Sequence, residues 1–167
     1  RLEKGEPANI LHGVRAIAQH SFQVGTMGAA MVVCFVAWFL CANLVFMLMN
    51  GGITPTLENF IPYLFSVENL PMLAVGTLVG ACFALIVFAF TVVSVPMLLD
   101  RDDVNVMSAM HVSFQAFRFN LEPMLLWAAI IVAIILGGFF TLYVGLAIGF
   151  PVLAHASWHA YRDVVKQ

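Results

Sequence analysis

The sequence predicts an all-α, polytopic membrane protein with four transmembrane helices. Hydrophobic residues make up 62% of the 167-residue chain and charged residues only 10%, whereas about a quarter of an average soluble domain is charged. Uncharged runs of the length that a bilayer requires, about 20 residues, recur along the chain. A soluble chain this short could not hide so much apolar surface, so we expect an integral membrane protein.

The first part of the chain is predicted to form a surface helix followed by two spans. We designate this segment, residues 7–99, repeat A. It comprises a surface helix at 7–20, a span at 24–49, an outer loop at 50–70 and a span at 72–97. Pro7 suits the first turn of the surface helix, and both predicted spans lack charged residues.

The second part is predicted to have the same organisation. Repeat B, residues 104–163, comprises a surface helix at 104–119 and spans at 124–140 and 143–161. The uncharged run that ends near Tyr161 is too long for one ordinary span. Gly137 and Gly138 lie within this run and favour a tight hairpin turn.

The surface helix of repeat B is predicted to be amphipathic. Four apolar side chains fall near one face at helical spacing: Val106, Met110, Phe114 and Phe117. Such a face suits a helix that lies along the membrane surface. Asp102 or Asp103 is expected to cap its start, because a carboxylate there accepts hydrogen bonds from the first backbone N–H groups.

Basic residues determine the predicted orientation. With four spans, all seven fall on one side, as the positive-inside rule prefers: Arg1, Lys4, Arg15, Arg101, Arg118, Arg162 and Lys166. The outer loop 50–70 contains no Lys or Arg. Both ends of the given chain are therefore expected in the cytoplasm. The net charge of −2 gives no reason to expect a nucleic-acid partner.

Weak sequence similarity accompanies the common organisation of repeats A and B. Residues 9–19 and 105–115 align without a gap, and each predicted hairpin ends with a proline in an apolar setting, Pro96 or Pro151. Two repeats in the same orientation imply an axis along the membrane normal. Chance similarity between apolar segments is the alternative.

Four segments resemble the bacterial membrane family called domain of unknown function 2189. They are RLEKGEP, VPMLLDRDDVNVMSAM, EPMLLWAAIIVAIILGGF and FPVLAHASWHAYRDVV. Members of that family usually carry another helical hairpin before the segment that is similar to RLEKGEP. The resemblance therefore implies that the chain, which begins with Arg1, is the C-terminal two thirds of a member. It also implies the bacterial inner membrane.

Some members of that family are labelled as cytochrome oxidase subunit I, which would require several histidines deep in the helices to ligate haem iron and copper. None of the five histidines lies in the middle of a predicted span: His12, His20, His111, His155 and His159. We therefore expect no oxidase activity. Because no other catalytic motif occurs, we expect no enzyme activity and no cofactor.

The histidines and acidic residues of the cytoplasmic side leave one metal site to consider. His155 and His159 are one helical turn apart, and His111 and Asp100 could complete a site for zinc or iron. The alternative is an interfacial anchor, since Trp158, Tyr161 and Arg162 surround the pair as in an aromatic and basic belt. The anchor is the favoured interpretation, with no metal bound.

Small residues in two predicted spans favour close helix packing. Gly76, Gly80 and Ala84 form GxxxGxxxA, and Gly145 and Gly149 form GxxxG. Packing of one span on another is favoured over a dimer interface. Because both motifs lie in the second span of a repeat, they could meet across the pseudo-axis.

The leading functional hypothesis is a non-enzymatic accessory, assembly or stabilising subunit of a larger respiratory or photosynthetic membrane complex. The expected partners are the lipid bilayer and other membrane subunits. The first alternative is a small transporter or lipid-handling protein, although Asn43 is the main polar candidate within the spans and is neutral, which disfavours ion coupling. The weakest alternative is a metal or haem protein that uses the cytoplasmic histidines.

Overall fold

The computed structural model describes residues 21–51, 55–101 and 103–165, and every regular element in these ranges is a helix. The elements are α1 (Ser21–Met49), α2 (Phe60–Leu64), a 3-10 turn (Val67–Asn69), α3 (Leu70–Thr91), α4 (Ser94–Asp100), α5 (Val106–Phe119), α6 (Leu121–Phe140) and α7 (Val144–Val165). The predicted all-α class is therefore confirmed. The predicted surface helix 7–20 lies outside the described residues.

Three helical segments of the described chain are long and apolar enough to cross a membrane: Ser21–Met49, Val67–Asp100 and Leu121–Phe140. They contain the predicted spans 24–49, 72–97 and 124–140. The predicted fourth span, 143–161, corresponds to α7, which does not join this set. Its apolar part ends at Ala154, because polar and aromatic side chains follow from His155 onwards. The count of four spans stays a prediction.

The chain divides into two compact units. The first, Ala29–Val87, contains most of α1 and α3, and we call it the hairpin unit. The second comprises, of the described residues, 21–28 and those from 88 to 165, and we call it the core unit. The core unit holds a cluster of buried side chains: Met27, Val93, Met97, Leu98, Val106, Ala109, Ala116, Met124 and Tyr161.

The predicted span 72–97 is broken near its end, so that α3 and α4 are separate helices. Pro96 lies in the first turn of α4. A proline ring clashes with the carbonyl of the residue four positions earlier in a continuous helix, here Val92, and proline donates no hydrogen bond. The helix therefore opens at Val92 and Val93 and restarts at Ser94.

Two serine hydroxyls replace backbone hydrogen bonds at this break. The N–H of Val93 donates to Oγ of Ser113 at 3.1 Å, and that hydroxyl donates to the carbonyl of Ala89 at 2.8 Å. In a continuous helix the same N–H and carbonyl would bond each other. The hydroxyl of Ser94 donates to the carbonyl of Phe90 at 2.6 Å. Ser113 and Ser94 are fully buried, so these bonds satisfy backbone groups that water cannot reach.

Helix α5, which packs against α4, begins with a side-chain cap. Asn105 caps the helix, because its Oδ1 accepts a hydrogen bond from the Ser108 N–H at 2.8 Å. The predicted cap at Asp102 or Asp103 is thus wrong for Asp103, and Asp102 lies outside the described residues. An asparagine that immediately precedes the first helical residue has the better position for a cap.

The buried face of α5 differs from the predicted one. Its buried residues are Val106, Ala109, Ser113 and Ala116, whereas Met110 and Phe117 are only partly buried against the core cluster. Phe114 is still 40% exposed, although its ring stacks on that of Phe90 with the centroids 5.3 Å apart. Small side chains occupy the contact because they let α5 approach α4 closely enough for Ser113 to reach the broken backbone.

Helices α6 and α7 form a tight antiparallel hairpin. The turn is made by Thr141–Tyr143, and Gly137 and Gly138 lie in the last turn of α6 before it. The Thr141 hydroxyl accepts a hydrogen bond from the Gly145 N–H at 2.9 Å and donates to the Gly138 carbonyl at 3.0 Å. Leu142 and Tyr143 adopt positive φ angles of 52° and 69°, a conformation that costs energy in residues other than glycine.

Replacing Ser113 with alanine should destabilise the core unit. The substitution leaves the Val93 N–H and the Ala89 carbonyl buried without partners, and each such group costs about 1–3 kcal/mol. We expect a lower unfolding temperature and midpoint in denaturant titrations of detergent-solubilised protein, followed by circular dichroism.

Ser108→Ala is the matched control in the same helix, because Ser108 is exposed and should change stability by no more than about 0.5 kcal/mol. Equal stability of Ser113→Ala and the unsubstituted protein would show that the bridge contributes nothing.

Candidate functional site

The structure brings two of the candidate metal ligands together. Helix α7 is continuous despite Pro151, so His155 and His159 lie on one face, with their ring centroids 6.4 Å apart. Both side chains are exposed. His111 lies on α5, where its Nε2 is 2.9 Å from Nε2 of Gln115 and shares a hydrogen bond with it.

The four candidate ligands do not form one centre. Among the residues that the structure describes, no group of three or more His, Cys, Asp and Glu side chains is close enough to hold a metal ion. His12 and His20 lie outside the described residues. A resident centre built from His111, Asp100 and the α7 pair is therefore not assembled in this fold.

Asp100 has a structural partner. It accepts a hydrogen bond from the Tyr161 hydroxyl, with 3.1 Å between Oδ2 and the phenolic oxygen. This bond joins the end of α4 to the end of α7. The phenol is protonated at neutral pH, so it donates this bond and the carboxylate accepts it.

Tyr161 is a core residue rather than an exposed anchor. Only 2% of its surface is exposed, whereas an interfacial anchor would face the lipid headgroups. Trp158 is half-buried, packs against the core cluster, and has its ring centroid 5.5 Å from that of Tyr161. Sequence spacing could not separate the two roles, because both place an aromatic side chain at the end of a helix.

The exposed face of α7 changes from apolar to polar along its length. Ile148 and Val152 are 71% and 54% exposed, and His155 and His159 follow on the same face at helical spacing. The buried face carries Leu153 and Tyr161. The histidine pair therefore lies on the exposed surface of the core unit, at the end of an apolar stripe that suits contact with lipid.

The two small-residue motifs have different surroundings. A methyl group added at Gly149 would lie 2.8 Å from Cγ2 of Ile134, and one at Gly145 would lie 3.2 Å from Cα of Gly138. These glycines allow α7 to pack against α6. A methyl group at Gly76 would meet no described atom within 4 Å. The meeting of the two motifs across the pseudo-axis stays a prediction.

Within the hairpin unit, α1 and α3 border an open groove of about 450 Å³. Its lining is almost entirely apolar and includes Phe46, Met72 and Gly76. Trp38 and Thr77 add an indole N–H and a hydroxyl. A methyl group added at Gly80 would lie 3.5 Å from Nε1 of Trp38, so this glycine lies close to the indole of α1. Ala84, the third residue of the motif, is exposed.

Helix α1 is the least covered of the three long apolar segments in the described part of the chain. None of its most apolar 18-residue window is buried, and Met27 is its one buried residue. The amide of Asn43 donates to the carbonyl of Phe39 at 2.8 Å, so this polar side chain bonds its own helix. Sequence reasoning placed the span correctly but could not show that so little of it would pack against the chain.

Comparison with known proteins gives a family but no characterised relative. Residues 1–100 match the model of a family described as "Predicted integral membrane protein (DUF2189)". No curated protein and no solved structure matches the chain. The matched region includes the hairpin unit and runs to the end of α4. The segments after Asp100 that show a resemblance lie outside this match.

Alanine substitutions should separate the two glycine motifs. Gly145→Ala forces a methyl group against the α6 backbone and the Thr141 hydroxyl, so we expect a loss of about 1–3 kcal/mol from overpacking. Gly76→Ala is the matched control, because space is open there and alanine favours a helix over glycine by about 1 kcal/mol.

Thermal unfolding in the same detergent measures both effects. The packing assignment is contradicted if Gly145→Ala unfolds at the temperature of the unsubstituted protein, or if Gly76→Ala is the more damaging change.

Proposed function

Because the chain belongs to the DUF2189 family of integral membrane proteins, we propose that it is a non-enzymatic accessory, assembly or stabilising subunit of a larger respiratory or photosynthetic complex in the bacterial inner membrane. The observation that carries this proposal is the uncovered apolar surface of α1. A helix of 29 residues with one buried side chain gains little stabilisation from packing against its own chain. It leaves a full face for contact with a neighbouring subunit.

The composition of this face supports protein contact. Large side chains of α1 are more than half exposed, among them Phe35, Phe39 and Leu40. Near its start, Gly25 and Gly28 have no described atom within 4 Å of an added methyl group. In lipid, small residues bring helix backbones together, and van der Waals packing drives association. Bulky and small residues on one uncovered helix suit insertion against another membrane helix.

The polar side chains of the core unit support a non-enzymatic role. Asp100 bonds Tyr161, His111 bonds Gln115, and Ser113 completes the broken helix. The Asp100 and Ser113 contacts each hold two elements together, whereas His111 bonds a residue of its own helix.

A fourth crossing by α7 is part of the proposal. The contacts of Gly145 with Gly138 and of Gly149 with Ile134 show that α7 runs back along α6. A helix that returns beside a spanning helix crosses the same depth of bilayer. This supports four spans with both ends of the given chain in the cytoplasm, as the positive-inside rule favours.

The two-repeat organisation is also retained as a proposal, with one difference between the repeats. Pro96 follows a helix break, whereas Pro151 lies inside a continuous helix. The repeats, if related by duplication, have diverged at the position where a serine from α5 fills the backbone gap.

The groove of the hairpin unit favours a second candidate function, a lipid-handling or small transport protein. Its volume of about 450 Å³ lies in the range of small-molecule sites, about 300–1,000 Å³. An apolar wall with one indole and one hydroxyl suits a lipid-like molecule. A lipid retained in this groove after purification would favour this candidate over the first.

Site-specific photo-crosslinking tests the proposed subunit contact. A benzophenone amino acid at Phe39, which is 53% exposed on α1, should crosslink in intact cells to a discrete polytopic membrane protein. The same protein should co-purify with the unsubstituted chain in mild detergent.

Leu57 provides the matched control, because it is 95% exposed but lies outside the helices, and it should give little of the same adduct. Crosslinks from Phe39 to lipid alone, together with purification of the chain without companions, would overturn the proposal.

A further inference from the structure

The histidine pair of α7 has the geometry of a chelate. A spacing of four residues on a continuous helix places two imidazoles one above the other, about 6 Å apart along the axis. The centroids of His155 and His159 are 6.4 Å apart and their rings are inclined by 54°. Zinc-binding helices use the same spacing to offer two nitrogens to one ion.

Both imidazoles are free to turn toward a common ion. A metal bound through nitrogen at about 2.1 Å requires the two donor atoms to approach within roughly 3 Å of each other. The rings must therefore rotate inward from their present separation. Both side chains are exposed, so no packed neighbour opposes this rotation.

The pair differs from the remaining histidine that the structure describes. His111 is engaged with Gln115, whereas His155 and His159 form no hydrogen bond with any described residue. A nitrogen lone pair that no protein donor uses is available to a metal ion. Asp163 follows one turn after His159 and is exposed, so it adds a favourable charge beside the pair, while Arg162 on the neighbouring position opposes it.

We propose that His155 and His159 form a two-imidazole chelate for a borderline transition-metal ion of the class of Cu²⁺, Ni²⁺ and Zn²⁺. Water completes the coordination, because no third ligand converges on the pair among the described residues. Catalytic zinc normally has three protein ligands, so this is a binding site rather than a hydrolytic centre. The site is independent of the proposed subunit function, since it lies on the exposed face of α7 and not on α1.

Selectivity follows from the ligand type. Sites with nitrogen donors have a higher affinity for Cu²⁺ than for Ni²⁺ or Zn²⁺. Mg²⁺ prefers oxygen ligands and gives up its water reluctantly, so it should not compete. The pair therefore predicts Cu²⁺ binding at this site, weaker Ni²⁺ and Zn²⁺ binding there, and no effect of Mg²⁺.

Calorimetric titration of the full chain in detergent micelles, after removal of any affinity tag, tests the proposal with CuCl₂, NiCl₂, ZnCl₂ and MgCl₂. His155→Ala and His159→Ala should each weaken Cu²⁺ binding by at least about tenfold, since even loss of a ligand's outer partner costs that much. His111→Ala is the control and should bind as the unsubstituted chain does.

A second variant tests the spacing itself. His159→Ala combined with Ala160→His keeps both imidazoles but moves one to a different face of α7, so it should bind no more tightly than His159→Ala. Unchanged helicity by circular dichroism establishes that each variant is folded. The proposal is overturned if the unsubstituted chain binds no Cu²⁺, if the moved histidine restores binding, or if His111→Ala abolishes it.

Discussion

The buried hydroxyl of Ser113 is the interaction on which the core unit depends. Pro96 prevents α3 and α4 from forming one helix, and an opened helix leaves an N–H and a carbonyl without their usual partners. In a protein that lies in lipid, water cannot supply the missing bonds. Ser113 supplies both from a different helix, so the local break becomes a long-range link between α5 and the α3–α4 junction.

The rest of the core unit follows from this link. Ala109 and Ala116 flank Ser113 on the buried face of α5, and their small side chains allow the close approach that the hydroxyl needs. Helix α4 is then fixed at its start by Ser113 and at its end by the bond between Asp100 and Tyr161. Since Tyr161 belongs to α7, the same short helix also positions the α6–α7 hairpin. The polar side chains of Ser113, Asp100 and Tyr161 thus link helices of the core unit through hydrogen bonds.

Sequence patterns predicted the features that depend on local composition. They missed the features that depend on which distant residues come into contact. Uncharged runs placed the three spans, because hydrophobic length is a local property. The break before Pro96 was not predicted, since proline is tolerated in membrane helices when a neighbour satisfies the backbone. That neighbour, Ser113, lies 20 residues from Val93. Tyr161 was assigned to the interface for the same reason, because its hydrogen-bond partner, Asp100, is 61 residues away in the sequence.

The candidate site also combines features that local sequence predicts with features that depend on packing. The face shared by His155 and His159 follows from helical spacing, whereas the separation of this pair from His111 and Asp100 depends on packing. Likewise, the GxxxG spacing identified close helix contacts, but only the fold shows that Gly145 and Gly149 face α6 while Gly76 borders an open groove.

A double-mutant cycle between Pro96→Ala and Ser113→Ala tests the central claim most directly, with the free energy of unfolding measured in detergent for all four proteins. If the proline opens the helix and the serine fills the gap, removing the proline lets Val93 bond Ala89, and Ser113 becomes dispensable. The cost of Ser113→Ala should then be smaller in the Pro96→Ala background by about 1 kcal/mol or more. An equal cost in both backgrounds would contradict the account.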